Sequence, residues 1–331
     1  LHASTRFLDA DLGPTSLTGP SSGVHLKGAM VFAILFPGQG SQFRGMGKDA
    51  FERYPGLTQF ACDVLDYDLV ALCRDNPDDA LSRTEYTQPA LYTVNALQMF
   101  ERTRREEQPA DCYLGHSLGE YNALLAAGVF DFETGLRLVK KRGELMAAAS
   151  GGGMTAVMDT PAPRLLDILG QDGVEGLDIA GFNTDAQLVI AGPAEALRAA
   201  HASFKERGIR FAPLRVSAPF HSRYMEPARA EFERYLKEFT FAEPTAEVVA
   251  NVSGRPYEQG AIVATLSRQL VEPVRWTDSV RHLLARDPRF ACEEVGGKSL
   301  LRMVEKIRAA AVPDPSPIEK PVPDREIRAL I

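Results

Sequence analysis

The chain has no Cys-x-x-Cys pair, no apolar run long enough to span a membrane, no dense basic patch and no internal repeat. Each absence removes a class. The four cysteines, Cys62, Cys73, Cys112 and Cys292, stand alone, which argues against a zinc ribbon or a redox motif. They read as the reduced thiols of a cytoplasmic protein. Without a long apolar run there is no candidate membrane helix. Without a basic stretch leading into an apolar core these residues are not expected to hold a secretion signal. The formal charge is −7, and the tightest basic cluster is Lys140-Lys141-Arg142. Nucleic acids and anionic membranes are therefore poor partners.

What is present is ordinary globular material. Hydrophobic residues make up 45% and charged residues 24% of 331 positions, so general disorder is excluded. The length fits one large α/β domain with an insertion, or two domains. Residues 1–29, rich in Ser, Thr, Gly and Pro, read as a linker or expression remnant, with Met30 as a plausible native start. Residues 312–331 carry five prolines between Pro313 and Pro323 and read as an extended Pro-rich tail.

Between these ends, strand-like and helix-like segments alternate. "MVFAILF" (30–36) is almost wholly apolar, as expected of a strand buried on both faces of a parallel sheet, and it stops at Pro37-Gly38. "QPALYTVNALQMFERTRREE" has helical spacing. "DCYLGHS" reads as a second strand, and "GEYNALLAAGVF" and "FETGLRLVKKRGELMAAA" as helices, before Gly151-Gly152-Gly153 breaks the chain. The order then becomes β-α-β-β-α-β over roughly 154–217, the split βαβ, ferredoxin-like pattern. It reads as an insertion into a larger unit formed by 30–153 and 218–311.

Gly115-His116-Ser117-Leu118-Gly119 fits G-x-S-x-G, with a strand candidate before it and a helix candidate after it. A nucleophile must stand clear on a tight strand-to-helix turn, and glycines let the neighbouring backbones approach that turn. The N–H of the residue after the serine, here Leu118, then faces developing negative charge at a helix N-terminus. A serine needs a base. Of the six histidines, His2 and His25 fall in the presumed linker, and His201 and His282 in helix-like stretches. His116 is next to the serine, its ring expected to point away or pack beside the turn. His221 follows "RVSAPF" where the chain returns to the larger unit. That suits a base facing the serine, and a structural histidine is the alternative. Glu120 reads as a first-turn residue that favours the helix N-terminus, not as a catalytic acid.

The motifs "FPGQGSQ", "TQPAL", "GHSLGEYNAL", "RG", "APFH" and "PVRW" occur in that order between residues 36 and 276. Together they resemble the malonyl-CoA:acyl carrier protein transacylases of fatty acid synthesis, and equally the acyltransferases of polyketide synthases, including free-standing ones that act in trans. The resemblance spans about residues 30–308. It implies an α/β-hydrolase-like large domain with a parallel sheet and an inserted ferredoxin-like small domain. It implies Ser117 as nucleophile and His221 as general base and acid, held by backbone carbonyls. The backbone N–H groups of Gln39 and Leu118 would form the oxyanion hole. Arg142 would grip the malonyl carboxylate, as a planar guanidinium can with two parallel hydrogen bonds. The residues alone leave Arg137 and Lys141 open as equivalents. Gln269 corresponds to a position whose carbonyl region supports the histidine, and Asn183 and Gln187 to a polar pair in the small domain. His116, Phe220, Gln269 and Asn183 are the remaining candidate substrate contacts. Phe220, just before the base, would fill the space of an α-methyl and favour malonyl.

The resemblance implies malonyl-CoA and the phosphopantetheine arm of an acyl carrier protein as substrates, with no metal and no organic cofactor. Arg215 and Arg223 are candidates for meeting an acidic carrier protein. The alternative is a proofreading acyl hydrolase that passes uncharged acyl groups to water, for which Arg142 would have no use. One departure stands out. The family's "EVGPGK" is here Glu294-Val295-Gly296-Gly297-Lys298, one residue shorter, which puts the shape of a loop beside the acyl site in question.

Overall fold

The computed structural model describes residues 30–105 and 107–311. The expectations for 1–29 and 312–331 lie outside the described residues. In chain order, β1 (Phe32–Phe36) is followed by α1 (Lys48–Arg53), α2 (Pro55–Leu65), α3 (Leu69–Asp75) and α4 (Thr84–Arg104). Next come β2 (Cys112–Gly115), α5 (Gly119–Ala126) and α6 (Phe132–Ala148). The middle of the chain holds β3 (Gly152–Met158), α7 (Ala162–Gln171), β4 (Asp178–Thr184), β5 (Gln187–Pro193), α8 (Ala194–Glu206) and β6 (Phe211–Pro213). It closes with α9 (Glu226–Leu236), β7 (Glu247–Ala250), β8 (Arg255–Pro256), α10 (Ile262–Arg268), α11 (Trp276–Arg286), β9 (Ala291–Glu294) and α12 (Ser299–Ala310).

The strands form two sheets. The first runs β8-β7-β2-β1-β9. β7, β2, β1 and β9 are mutually parallel, and only β8 is antiparallel. Its central strands are apolar because both faces are covered. Alternation sorts their side chains. Ile34, Phe36 and Tyr113 join the larger core, with Leu97, Leu124 and Leu136. Ala33, Leu35, Cys112 and Leu114 join a second core with Trp276, Val280, Val304 and Ile307. The second sheet runs β4-β5-β3-β6, with every pairing antiparallel. Its own core brings Val157, Leu188 and Ile190 against Leu165 and Ile168 of α7 and Leu197 and Phe204 of α8.

Backbone hydrogen bonds tie β4 to the segment just before α11. Phe182 N–H donates to the Val274 carbonyl at 2.9 Å, and Val274 N–H to the Ala180 carbonyl at 3.0 Å. Residues just past the carboxyl ends of β1 and β2 share a cavity with residues of β3, β4 and β5, at the end of the sheet where an α/β fold usually binds its ligand. Among the described residues no helix is long and apolar enough to cross a membrane.

Candidate active site

Ser117 occupies the turn between β2 and α5 with φ 51°. That left-handed value is unusual for a residue with a Cβ and marks a held conformation. The flanking glycines explain how the turn closes. A Cβ on Gly115 would lie 1.9 Å from the Gly119 carbonyl carbon, and one on Gly119 would lie 2.0 Å from the Phe36 carbonyl oxygen. Asn251, just past β7, braces the turn from outside. Its Oδ1 accepts from Ser117 N–H at 2.7 Å, and its Nδ2 donates to the Gly115 carbonyl at 2.6 Å. Sequence reading missed Asn251, which follows a strand like any turn asparagine.

His221 also has a left-handed backbone, φ 57°. Its Nε2 lies 2.7 Å from Ser117 Oγ, and its Nδ1 lies 2.7 Å from the Gln269 carbonyl. A carbonyl only accepts, so Nδ1 carries the hydrogen and Nε2 is left bare toward the serine. Burial, and then the nearby charge of Arg142, push the ring's pKa down to about 3. The imidazole is neutral at neutral pH and ready to accept a proton.

Arg142 is fully buried. It lies on the buried stripe of α6 with Val139, Gly143 and Met146. Nη1 donates to Gln88 Oε1 at 2.6 Å, and Nη2 to both Ser117 Oγ and Gln269 Oε1 at 3.1 Å. All three acceptors are neutral. A buried cation with no carboxylate against it is costly unless an anion joins it. Gln88, from the "TQPAL" segment, was not singled out in the sequence. Arg137 and Lys141 separate cleanly from Arg142, since they pair with Glu133 and Glu231.

A cavity of ≈ 310 Å³ opens over these groups. Its walls include Gln39, Leu118, Arg142, Phe220, His116 and Asn183. The Gln39 side chain donates to Thr84 Oγ1 at 3.2 Å. His116 packs beside the turn. Its Nε2 lies 2.9 Å from Asn183 Oδ1, and its ring lies 5.7 Å from that of Trp276. Gln187 lines the wall with Asn183. Gln269 is placed differently from the other candidate substrate contacts. It stands behind Arg142, with Nε2 donating to the Ser117 carbonyl at 3.0 Å and to Glu120 Oε2 at 2.6 Å. It shapes the site from behind while Arg142 faces the cavity.

Glu120 does more than the sequence suggested. It does lie in the first turn of α5, and it is also fully buried. It accepts from Gln269, from Asn251 N–H at 3.1 Å and from the Tyr257 hydroxyl. A pattern reading sees only helix position and cannot see which later segments fold over it.

The short loop after β9 has a definite form. Glu294 caps α12, accepting from the N–H groups of Ser299, Leu300 and Leu301 at 2.8–3.1 Å. Ser299, Leu300 and Met303 then reach the cavity wall. Of the two arginines near the histidine loop, Arg223 pairs with Asp178 of β4. Arg215 is exposed beside an adjoining cavity of ≈ 370 Å³, which Arg44 and Phe43 also line.

The geometry agrees with comparisons to known proteins. Residues 33–306 match the model of the acyl transferase domain. Polyketide biosynthesis protein ThaF of Burkholderia thailandensis is 47% identical over 312 residues, covering 93% of this chain. The chain spans only 26% of the length of ThaF. Polyketide biosynthesis malonyl CoA-acyl carrier protein transacylase BaeC of Bacillus velezensis is 45% identical, covering 84% of this chain and 97% of BaeC. The crystal structure of malonyl CoA-acyl carrier protein transacylase from Burkholderia pseudomallei superposes with a TM-score of 0.83 at 45% identity, covering 86% of this chain and all of that one. A type II PKS acyl-carrier protein in complex with its malonyl-transacylase gives a TM-score of 0.78 at 35% identity, covering 84% of this chain and 93% of that one. With a strained serine, a neutral histidine against it and a buried arginine beside both, the chain belongs to the acyl transferase domain family, alongside the malonyl CoA-acyl carrier protein transacylases.

Proposed function

We propose that the chain transfers a malonyl group from malonyl-CoA to the phosphopantetheine thiol of an acyl carrier protein, through a malonyl ester on Ser117. The observation that carries this reading is Arg142, buried, ringed by neutral acceptors and 3.1 Å from Ser117 Oγ. An acyl group that ends in a carboxylate puts an anion in direct contact with the guanidinium, where the acyl chain must sit. The relatives named for malonyl transfer and the carrier-protein complex among the structural neighbours point the same way.

The cycle has two halves. The malonyl carboxylate docks on Arg142, and His221 Nε2 takes the Ser117 proton as Oγ attacks the thioester carbon. The tetrahedral oxyanion is held by the N–H groups of Leu118 and Gln39. The C–S bond breaks, and the imidazolium returns its proton to the CoA sulfur. In the second half, His221 takes the proton of the carrier's thiol, the thiolate attacks the ester, and Ser117 recovers the proton. No metal or organic cofactor enters the cycle. His116 and Asn183 fix one wall of the cavity. The exposed Arg215 and Arg44 suit an acidic carrier surface at its mouth.

We read residues 30–153 and 218–311 as an α/β-hydrolase-like catalytic unit and 154–217 as a ferredoxin-like insert. The parallel order of the first sheet and the β4-β5-β3-β6 order of the second support this reading. The pathway, polyketide or fatty acid, follows the carrier protein. The relatives named for polyketide biosynthesis favour the former.

Labelled malonyl-CoA incubated with the protein and a holo carrier protein tests the proposal. Label on the carrier is expected. Free malonate with an unlabelled carrier would reject transfer in favour of hydrolysis.

Phe220 carries the next expectation. It is buried on the cavity wall beside the base. Phe220→Ser is expected to raise methylmalonyl relative to malonyl loading about tenfold, since one methyl-sized clash amounts to about 1–3 kcal/mol. A competition assay with both CoA esters reads the ratio. An unchanged ratio in a folded variant assigns the selectivity elsewhere.

A further inference from the structure

We infer that Glu120 is the resident counter-charge of Arg142, so that a substrate carboxylate binding Arg142 drives Glu120 to take up a proton. The inference rests on the reading of Arg142 as the carboxylate-binding residue. It assigns a positioning and charge-balancing role to a group that touches neither substrate nor nucleophile.

The geometry is a relay with one amide in the middle. Arg142 and Glu120 are both fully buried. Gln269 Oε1 accepts from Arg142 Nη2 at 3.1 Å, and Gln269 Nε2 donates to Glu120 Oε2 at 2.6 Å. The orientation of that amide is fixed at both ends, because a guanidinium cannot accept and the Glu120 oxygen it meets does not donate. Glu120 thus holds Gln269 with its oxygen toward the arginine, while the Gln269 carbonyl holds His221.

The shell of Glu120 tolerates both of its charge states. Oε2 accepts from two groups that can only donate to it, the Gln269 amide and Asn251 N–H. Oε1 meets the Tyr257 hydroxyl, which can either donate or accept. An ionised Glu120 accepts from Tyr257, and a neutral one donates to it, with no atom moved far. The charged and titratable groups around Glu120 are few. Arg142 faces it from α6, Tyr121 is its neighbour on α5, and Tyr257 comes from the loop after β8. Asn251 and Gln269 are neutral, and His221 stands on the far side of Gln269. Burial raises both phenols above their ordinary range, so they stay neutral.

Burial also raises Glu120, to about 7, against the pull of its three donors and of Arg142. With Glu120 ionised, the buried cluster is neutral before substrate arrives, and a malonyl carboxylate makes it net negative. With Glu120 protonated, the cluster is positive and the carboxylate neutralises it. A second anion on Arg142 lifts Glu120 further, so binding and protonation are linked. An acetyl group brings no charge and needs no proton.

The test uses Ser117→Ala, which binds without turnover, with malonyl-CoA or acetyl-CoA in calorimetry from pH 6 to 9. Buffers of different ionisation enthalpy report the protons taken up. The malonyl-CoA Kd is expected to rise with pH, approaching about tenfold per unit above pH 7, with net proton uptake on binding. Acetyl-CoA carries the same nucleotide phosphates and is expected to lack this extra slope. Adding Glu120→Gln, which keeps an acceptor for Gln269 and removes the charge, is expected to abolish the slope and the uptake. Malonyl binding without proton uptake in the Glu120 protein would overturn the inference even if the double variant failed to fold. A slope that survives Glu120→Gln would overturn it as well. Should the unaltered protein fail to load malonyl at all, the functional reading falls. Should it load malonyl with pH-independent binding, only this inference falls.

Discussion

Replacing His221 with alanine is expected to slow acylation of Ser117 by about 10²–10⁴-fold, the usual contribution of a positioned general base. The expectation follows from 2.7 Å on each side of one ring. The Gln269 carbonyl fixes the tautomer, so the bare nitrogen faces the hydroxyl. No carboxylate is needed for this orientation. Stopped-flow release of CoA from malonyl-CoA measures the step. The same arrangement has a pH signature. Burial is the larger of the two causes that push the ring's pKa down to about 3, and it persists when a malonyl carboxylate offsets Arg142, so the base stays neutral as pH falls through the ordinary histidine range. At saturating malonyl-CoA, acylation should therefore stay level from pH 8 to 5. A fall centred on about pH 6.5, the ordinary histidine value, would mean a solvated ring and a different base environment.

Arg142→Ala is expected to weaken malonyl loading by about 3–5 kcal/mol, roughly 10²–10⁴-fold, the scale of leaving one member of a buried ion pair without its partner. Acetyl loading should change far less, because an acetyl group presents nothing to the guanidinium. Arg142→Lys should recover only part of the loss, since an ammonium lacks the paired donors that span Gln88, Gln269 and a carboxylate. The ratio of malonyl to acetyl kcat/KM isolates this effect from general damage to the fold. Equal losses for both substrates would move the carboxylate site elsewhere.

Much of this site could be read from residue order, and the reasons are local. The G-x-S-x-G turn is legible because backbone contacts force glycine at both ends of it, and sequence records such constraints directly. The apolar strand at 32–36 is legible because burial on both faces leaves no room for alternation. His221 was one of two open readings of a histidine just after the β-α-β-β-α-β stretch, and its place beside Ser117 comes from the fold. Arg142 was not separable from Arg137 and Lys141 by residue type. Its helical phase would have served, since it falls on the stripe of Val139 and Met146. Gln88, Asn251 and the buried state of Glu120 were beyond reach. Each acquires its role from a partner on another element, across 54 or more residues, and no local pattern encodes such a meeting. The network Ser117–Arg142–Gln269–Glu120 is assembled only when α5, α6 and the turn after α10 close on one another.

The central claim is that Ser117 carries a malonyl group between two thiols. Its most direct test is peptide mass spectrometry of the protein after brief exposure to malonyl-CoA, before and after addition of a holo carrier protein. The account predicts a malonyl adduct on the peptide holding Ser117, lost on addition of carrier as the carrier gains the same mass. An adduct on another residue, or an adduct that decays to malonate while the carrier stays unloaded, would contradict it.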